Sequence, residues 1–377
     1  MTATCINTCV LGVGLGGLTF HIPFILALPD LFSLHSVLER NPRTPGGKVY
    51  ERFGVTTKIH QSLEEVLVDP EIELVIVATP SHTHYEFTKR ILESGKHVLV
   101  DKPVTATVEQ ARELGHLAKT RNLVLYPYQN ARWNSDFLAL KKLLDLPTSD
   151  SKSLGTIVEF ESHYDRYRKV LKGTWKDHPL PANGQLYDLG THTIDQALTL
   201  FGRPSRLTAF VQNARGIGHP DVDDTFSVYM HYPGMTAILR AHILSIRSTQ
   251  LRFFVRGTKG SYTKYGGDVQ ESQLKTVKDP RTEIHAEGFG REPKSLWGLV
   301  ETIGDNDQIT TDIWPSTDPG AYINLFKNLA AVIRDNAAPE IKWEEAAAVI
   351  EMVELAHQSS REGRTLDVPR WEGSQSL

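Results

Sequence analysis

The segment CVLGVGLGGLTFHIP, residues 9–23, joins a strand-like apolar run to a cluster of glycines. Gly12, Gly14 and Gly17 have the spacing GxGxxG, and apolar residues with helical spacing follow them. In a dinucleotide-binding turn, the first glycine permits a tight turn and the second lets the backbone approach a pyrophosphate, while the third allows close packing of helix and strand. The pattern predicts such a loop, with Leu15 inside it, although an ordinary glycine turn is the alternative.

The same segment lies where a targeting signal would lie. Its glycines interrupt the apolar run, and no basic start precedes it, so it lacks the features of a signal peptide. A membrane helix needs roughly 20 continuous apolar residues, which this chain lacks. We therefore expect an intracellular, cytoplasmic protein.

A second strand-like run, LFSLHSVLE, ends at Glu39, about 20 residues beyond the glycines, where a ribose-binding carboxylate is expected. Glu39 should repel a 2′-phosphate and favour NAD. Arg40 beside it could pair with that phosphate or stack on adenine and so favour NADP. The sequence slightly favours NAD, and a solvated loop acid is the alternative for Glu39.

Length and composition indicate a two-domain globular protein. The 377 residues exceed what one hydrophobic core usually supports. A net charge of −4 gives no general attraction to nucleic acid or anionic membrane. Cys5 and Cys9, four residues apart on one strand, are too far apart to pair and are typical of a reducing compartment.

Strand and helix patterns alternate up to about residue 128. IELVIVATP and HVLVDKP are continuous apolar runs of the kind found in parallel strands buried on both faces. The amphipathic segments between the strands complete the pattern of a doubly wound parallel sheet, or Rossmann fold. The sequence therefore predicts an α/β dinucleotide-binding domain over residues 1–128.

After residue 128 the apolar pattern changes to period two, with turn residues such as Pro233 and Gly234 between the runs. We expect residues 129–377 to form an α+β domain for substrate binding and oligomerisation. It should hold a large, mainly antiparallel open sheet and a C-terminal helix that ends near Gly363.

Polar residues stand at two strand ends of the first domain, where ligands bind in such folds. These candidates for cofactor binding are Thr79, Pro80, His82, His84, Asp101 and Lys102. The two histidines lack further ligands at a recognised spacing, so we expect no metal site. For Lys102 a solvated side chain is the alternative.

The segment GQLYDLGTHTIDQALTLFG, residues 184–202, places Asp188, His192 and Asp195 on one face of a helical wheel. A carboxylate near a histidine is typical of proton transfer, although a solvated helix face is the alternative. Hydride transfer requires loss of a hydroxyl proton, which His192 could accept. Lys102 could stabilise the developing alkoxide, and Asp188 could orient the imidazole or bind a substrate hydroxyl.

With the glycine loop, TPSHTHYE, SGKHVLVDKP and GQLYDLGTHTIDQ in this order, the chain resembles the Gfo/Idh/MocA oxidoreductases over nearly its whole length. Asp101 replaces the glutamate of the family's usual EKP. The resemblance implies that Lys102, His192 and Asp188 form the catalytic set. It also implies a nicotinamide between the domains, a substrate against the open sheet, and homodimers or homotetramers that often use that sheet.

Within this family, the segments YQNARWNSDF, HYDRYR and KYGGDVQE are similar to NADP-dependent scyllo-inositol dehydrogenases. The resemblance implies that Asn130 contacts the cofactor and that Arg132, Tyr164 and Arg166 join the substrate set of Lys102, Asp188 and His192. For the two arginines, a structural ion pair is an equal alternative. Glu39 departs from the pattern of those enzymes.

The expected activity is hydride transfer between NAD or NADP and a hydroxyl or ketone carbon of a cyclic polyol or sugar. A dinucleotide-sensing regulator on the same fold is one alternative, which the presence of both Lys102 and His192 disfavours. A reductase of an imine or another non-sugar acceptor is a further one.

Overall fold

The computed structural model describes residues 5–304 and 307–370. No helix in this part of the chain is both long and apolar enough to cross a membrane. The strands, in chain order, are β1 (Ile6–Leu11), β2 (Phe32–Leu38), β3 (Lys58–His60), β4 (Leu74–Val77), β5 (His97–Val100), β6 (Leu125–Pro127), β7 (Ile157–His163), β8 (Arg206–Gln212), β9 (Thr225–Tyr232), β10 (Met235–His242), β11 (Leu251–Gly257), β12 (Gly260–Tyr265), β13 (Gly298–Ile303), β14 (Ile309–Trp314) and β15 (Leu366–Asp367).

The α-helices connect and flank these strands. They are α1 (Ile22–Ala27), α2 (Gly47–Phe53), α3 (Leu63–Val68), α4 (His84–Glu93), α5 (Val108–Thr120), α6 (Ser135–Leu144), α7 (Thr191–Phe201), α8 (Gln270–Leu274), α9 (Pro280–Glu283), α10 (Ile323–Asp335) and α11 (Trp343–Glu362).

The chain forms two compact units. The first contains the stretch that ends at Trp133, together with Val269–Arg291 and Gly320–Ala348. The second contains Asn134–Asp268, Glu292–Pro319 and the stretch that begins at Val349. The sequence-based division at residue 128 did not include the two segments that return to the first unit.

The first unit holds a six-stranded parallel sheet in the order β3-β2-β1-β4-β5-β6. The order reverses between β1 and β4, so the loops after these neighbouring strands diverge and leave a crevice at their carboxyl ends. The glycine loop follows β1 directly. This confirms the predicted Rossmann sheet.

The second unit holds a nine-stranded sheet in the order β14-β13-β12-β11-β7-β10-β9-β8-β15. Its neighbouring strands are antiparallel except for β7 and β10, which run parallel. Pro233 and Gly234 form the turn between β9 and β10, as the sequence predicts. The mainly antiparallel sheet is therefore also confirmed.

Each unit has its own apolar core. In the first, the buried strands β1 and β4 pack with α1 and α10 around Phe24 and Phe326, whose rings stack 5.0 Å apart. In the second, one face of the nine-stranded sheet packs against α7 and α11 around Phe160, Ile194 and Val353. The opposite face of that sheet keeps several large apolar side chains exposed.

Two helices differ from their expected form in the first turn. A π-helical turn, Gly17–His21, precedes α1, and a second one, Leu186–Gly190, precedes α7. A π-turn widens the helix by its i→i+5 pattern and often occurs at functional sites. The uniform α-helical wheel drawn over Asp188 to Asp195 is therefore wrong at its beginning. Asp195 is buried, so a solvated face does not describe this helix.

Candidate active site

The glycine loop has the three geometries that its spacing predicts. Gly12 has φ +94°, and a Cβ atom there would lie 2.8 Å from the carbonyl oxygen of Ala78. A Cβ atom on Gly17 would lie 2.0 Å from the carbonyl oxygen of Gly12. By contrast, a Cβ atom on Gly14 would meet no atom within 4 Å. Gly12 and Gly17 are thus required by the fold, whereas Gly14 leaves open space where a ligand can approach the backbone.

Glu39, directly after β2, is buried with 5% exposure. Its Oε2 accepts a hydrogen bond from the backbone N–H of Lys48 at 3.0 Å, whereas its Oε1 is buried without a hydrogen-bond partner. Such an acceptor fits a ribose hydroxyl, because a buried carboxylate oxygen left unpaired is costly. Glu39 is therefore no solvated loop acid. Arg40 next to it is exposed.

The loop after β4 carries the first group of predicted cofactor residues. Thr79 and Thr83 share a hydrogen bond of 2.6 Å between their hydroxyls, next to the half-buried Pro80. His84 is buried, and its ring nitrogens lie 2.7 Å from the carbonyl oxygen of Pro103 and 2.9 Å from that of Thr79. Burial lowers its pKa. His84 thus ties the loops after β4 and β5 together, with both nitrogens engaged by the protein itself.

His82, two residues earlier, is exposed, so the two histidines do not point to a shared metal. Elsewhere in the first unit, side-chain atoms of His35, Asp69 and Glu71 come within 4.8 Å of one another. The ammonium of Lys58 lies 2.8 Å from the Asp69 carboxylate and already supplies it with a positive charge. We assign no metal role to this group.

Asp101 links the glycine loop to Lys102. Its Oδ1 accepts the backbone N–H of Lys102 at 2.7 Å, and its Oδ2 lies 3.4 Å from Nε2 of the buried His21. A Cβ atom on Gly16 would lie 3.3 Å from that Oδ2. Burial raises the pKa of Asp101, but the contact with His21 and the charge of Lys102 outweigh it and lower the pKa to about 2. The shorter Asp in place of Glu therefore remains an anion that fixes the backbone beneath Lys102.

The turn after β6 contains Asn130, which is buried, and Arg132, whose guanidinium lies 2.6 Å from the carboxylate of Glu345. A structural ion pair of this kind was the alternative to substrate binding expected for Arg132. Leu15, in the glycine loop, has 62% exposure and leaves room for a ligand nearby.

In the second unit, the π-turn before α7 positions Asp188 and leads directly to His192. The Asp223 carboxylate fixes its start, since Oδ2 accepts the backbone N–H of Leu186 at 2.8 Å. The ammonium of Lys176 donates to Oδ1 of Asp188 at 2.9 Å, and that of Lys172 lies 3.5 Å from Oδ2. Asp188 therefore lies between two cations as well as one turn from His192.

Tyr164 and Arg252 form the neighbouring part of this unit. The Tyr164 ring lies 5.9 Å from that of His192, and its hydroxyl lies 3.3 Å from both Asn134 Nδ2 and Arg252. Arg252 is buried and also donates to Asp136 at 2.7 Å and to Gln196 of α7 at 2.9 Å. This network holds Tyr164 beside His192. Arg166 is half buried, and its backbone N–H bonds to the carbonyl oxygen of His242.

Several residues of these clusters were not among those predicted. Arg252 and Asp136 gave no sequence signal, because they are far apart in the chain and β11 carries an irregularity at Arg252 that turns its side chain inward. The sequence does contain a signal for Lys172 and Lys176, since they lie in a segment rich in basic residues. His21 was not predicted either, although it lies within the segment of residues 9–23 that contains the glycine loop.

Two family models of oxidoreductases match the chain. One, described as the NAD-binding Rossmann fold, matches residues 6–129, and the other, the C-terminal alpha/beta domain, matches residues 150–368. The chain belongs to the Gfo/Idh/MocA oxidoreductase family. The predicted resemblance is confirmed, and with it the α/β and α+β fold class.

Relatives of this family align over nearly the whole chain. The uncharacterized oxidoreductase C115.03 of Schizosaccharomyces pombe is 37% identical, over 96% of this chain and 99% of its own length. The scyllo-inositol 2-dehydrogenase (NADP(+)) IolW of Bacillus subtilis is 36% identical, over 96% of this chain and 95% of its own. The solved structure of yvaA from Bacillus subtilis, 33% identical, has a TM-score of 0.88 and covers 98% of this chain and 100% of its own.

This Gfo/Idh/MocA chain is an NAD(P)-dependent oxidoreductase. The open space at Gly14 and the unpaired Oε1 of Glu39 fit a dinucleotide at the carboxyl ends of β1 and β2.

Proposed function

We propose that this enzyme transfers a hydride between NAD and a hydroxyl or ketone carbon of a cyclic polyol or sugar. The observation that carries the proposal is the π-turn that presents Asp188 and His192 together, in a chain that also has Lys102 directly after β5. A chain that only senses a dinucleotide needs no such proton-transferring set. The relative IolW bears a name for an inositol dehydrogenase, which supports a polyol or sugar substrate.

The chemistry divides among three side chains. A bound nicotinamide supplies or accepts the hydride. When an alcohol is oxidised, His192 takes the hydroxyl proton, and it returns that proton in the reverse direction. The ammonium of Lys102 stabilises the negative charge on the substrate oxygen. Asp188 orients the substrate or the imidazole of His192, and Tyr164 contacts the substrate beside His192.

We propose NAD as the preferred cofactor, because Glu39 is buried and would repel a 2′-phosphate. Asn130 and the loop at Thr79 and Pro80 complete the proposed cofactor contacts, whereas Arg132 is left to its ion pair. The reducing environment expected from the two cysteines supports a cytoplasmic location. We also propose a homo-oligomer that forms through the open sheet.

The test measures nicotinamide absorbance with NAD and NADP separately, across inositols, aldoses and their keto forms. We expect His192→Ala to lower kcat by about 10²-fold or more, the usual contribution of a general base. The Kd for the dinucleotide should stay within about twofold, because His192 is assigned to the substrate proton. Lys102→Ala should also lower turnover. His116→Ala, at an exposed position of α5, is the matched control.

Full turnover in His192→Ala would contradict the proposed role of this residue. Tight dinucleotide binding without turnover of any substrate in the wild type would favour the regulator instead. Turnover of an imine alone would favour the non-sugar reductase.

A further inference from the structure

A strongly basic segment lies next to Asp188 in the second unit. The sequence RYRKVLKGTWK, residues 166–176, contains five Lys or Arg residues and no acid, in a chain whose net charge is −4. Four of these five, Arg166, Arg168, Lys172 and Lys176, form what we call the basic cluster. Its charge is opposite to that of the protein as a whole.

The basic cluster is held in place by backbone hydrogen bonds. The N–H of Arg166 bonds to the carbonyl of His242, and the N–H of Arg168 to that of Ile243. Near the other end, the Asp177 carboxylate accepts the backbone N–H groups of Lys172 and Thr174 at 3.2 and 3.1 Å. The Asp177 carboxylate therefore holds the backbone of the segment in place.

The carboxylate of Asp188 faces the basic cluster from the π-turn. Lys176 makes the shorter contact with it, at 2.9 Å, and Lys172 the longer one, at 3.5 Å. Burial lowers the pKa of Lys172 to about 8, and the charges of Lys176, Arg166 and Arg168 add to this effect against the opposing attraction of Asp188. The charged form of Lys172 is therefore destabilised, and a second anion nearby would stabilise it.

Asp165, the other acid at the start of this segment, has partners of its own. Its carboxylate lies 3.2 Å from Nδ1 of His163 and accepts the backbone N–H of His242 at 2.7 Å. The side chains of Lys172 and Lys176 remain about one-quarter to one-third exposed, at 26% and 31%. An anion from solution can therefore reach them.

We infer that the substrate carries an anionic group, a carboxylate or a phosphate, in addition to the hydroxyl that is oxidised, and that Lys172 with the basic cluster binds it. This inference rests on the proposed function, because it assumes that Asp188 and His192 face the substrate. Lys172 exchanges its long contact with Asp188 for the substrate anion, whereas Lys176 stays on Asp188. Ammonium and guanidinium groups form their strongest hydrogen bonds with such anions.

A neutral polyol would gain little from this arrangement. Amides and neutral hydroxyls bind the hydroxyls of a polyol equally well. They also avoid the repulsion that arises between neighbouring cations in the basic cluster. The substrate class we assign is a sugar acid or a sugar or polyol phosphate, and the basic cluster should also speed its association at low ionic strength.

The experiment compares matched neutral and anionic compounds at low salt: glucose with gluconate, glucuronate and glucose 6-phosphate, and myo-inositol with its monophosphate. We expect kcat/KM for one anionic member to exceed that of its neutral partner by about tenfold or more. The carboxylate and phosphate arms identify the anion. Lys172→Gln should remove about tenfold of kcat/KM for the anionic compound, a clearly larger loss than for its neutral partner, and should leave the KM for the dinucleotide unchanged.

Lys169→Gln is the matched control, since it removes an equal charge from an exposed position outside the basic cluster. Equal or better use of the neutral compounds by the wild type would overturn the inference. An increased dinucleotide KM in Lys172→Gln would also overturn it, because Lys172 would then bind the cofactor.

If no compound is turned over, the proposed function and this inference are separated by calorimetric titration of gluconate and glucose 6-phosphate into the protein with NAD bound. Binding that weakens about tenfold in Lys172→Gln supports the anion site even when the proposed reaction fails. Absence of binding to the wild type overturns it.

Discussion

Glu39 is the side chain that we propose selects the cofactor. Its Oε2 is satisfied by the backbone of Lys48, and its buried Oε1 is left for a ligand. We predict that Glu39→Gln weakens NAD binding by about tenfold or more, since a hydrogen bond to a charged group contributes about 1.5–3 kcal/mol. NADP binding should improve in the same variant, because the charge that opposes the 2′-phosphate is gone.

The measurement is the Kd for each dinucleotide by quenching of tryptophan fluorescence. Glu51→Gln, at an exposed position of the nearby α2, is the matched control. An unchanged ratio of the two Kd values in Glu39→Gln would show that Glu39 does not select the cofactor.

At the residue scale, the sequence could predict groups whose position follows from a strand end. Glu39 and Asp101 come directly after β2 and β5, and Lys102 follows Asp101, so the parallel sheet alone puts them at one edge. It could not predict partners distant in the chain. The pairing of Arg132 with Glu345 joins residues 213 apart, and the role of Arg252 depends on an irregular strand.

At the scale of one element, the glycine loop separates folding from binding. Gly17→Ala should destabilise the first unit by several kcal/mol, because the new Cβ atom would overlap the carbonyl oxygen of Gly12 and force the turn apart. Gly14→Ala should retain wild-type stability, since nothing lies within 4 Å of the new atom. It should nevertheless weaken dinucleotide binding by about tenfold or more, because the methyl group enters the space next to the pyrophosphate.

Urea unfolding and dinucleotide titration on both variants check this pair. Normal dinucleotide affinity in Gly14→Ala would mean that the phosphate lies elsewhere. Unchanged stability in Gly17→Ala would mean that the loop tolerates a wider turn than the close contact indicates.

The long helix α11 contains a pH-sensitive contact. His357 stacks on Tyr187 of the π-turn with ring centroids 5.6 Å apart, and its Nε2 is buried without a hydrogen-bond partner. Burial, together with the charge of Arg361, lowers its pKa from 6.5 to about 4. Below pH 6.5 the unfolded chain binds a proton that the folded protein does not bind, so His357 reduces stability as the pH falls from 6.5 towards 4.

We predict that His357→Gln removes on the order of 2 kcal/mol of this loss between pH 7.5 and pH 4.5. The free energy of unfolding from urea titrations at both pH values measures it. Other buried histidines, such as His84, act in the same direction, so the quantity compared is the difference between variant and wild type. An equal pH dependence in both proteins would contradict the lowered pKa of His357.

The two π-turns mark the limit of prediction for elements. The apolar pattern identified most strands of the first sheet and α11, because buried strands form continuous apolar runs and α11 is long. It did not identify β3, which has only three residues. A π-turn changes the pattern by one residue, and the glycines at which the two turns begin or end, Gly17 and Gly190, are equally typical of ordinary loops. The short segments that form α8 and α9 gave no prediction, and α10 was missed although its apolar residues have helical spacing.

At the scale of the whole molecule, the chain passes twice from the second unit back to the first before it ends. A sequence-based division assumes that a domain is one continuous stretch. The segments that return, Val269–Arg291 and Gly320–Ala348, contribute Leu274 and Phe326 to the core of the first unit. Their apolar residues carry no mark of which core they join, so only the folded structure could assign them.

The open face of the nine-stranded sheet leads to a prediction about assembly. Val300 of β13 is in the core, so Leu299 and Ile303 point to the opposite face, where they pair with Ile313 and Ile309 of β14. These four side chains are 44–72% exposed. The two apolar pairs lie on either side of the pair formed by Glu301 and Thr311 on the same face. Exposed apolar groups close together are typical of a protein interface, and the same face of a second copy offers a matching surface.

We predict that the wild type sediments as a dimer or tetramer and that the double variant Leu299→Glu and Ile313→Glu sediments as a monomer at micromolar concentration. Two carboxylates would then lie opposite each other on neighbouring strands and would have to be desolvated in any interface. Val68→Glu places the same charge on an apolar residue of the first unit that is 79% exposed, and it should leave the assembly intact. A monomeric wild type, or an oligomer that the double variant retains, would show that this face of the sheet does not hold the copies together.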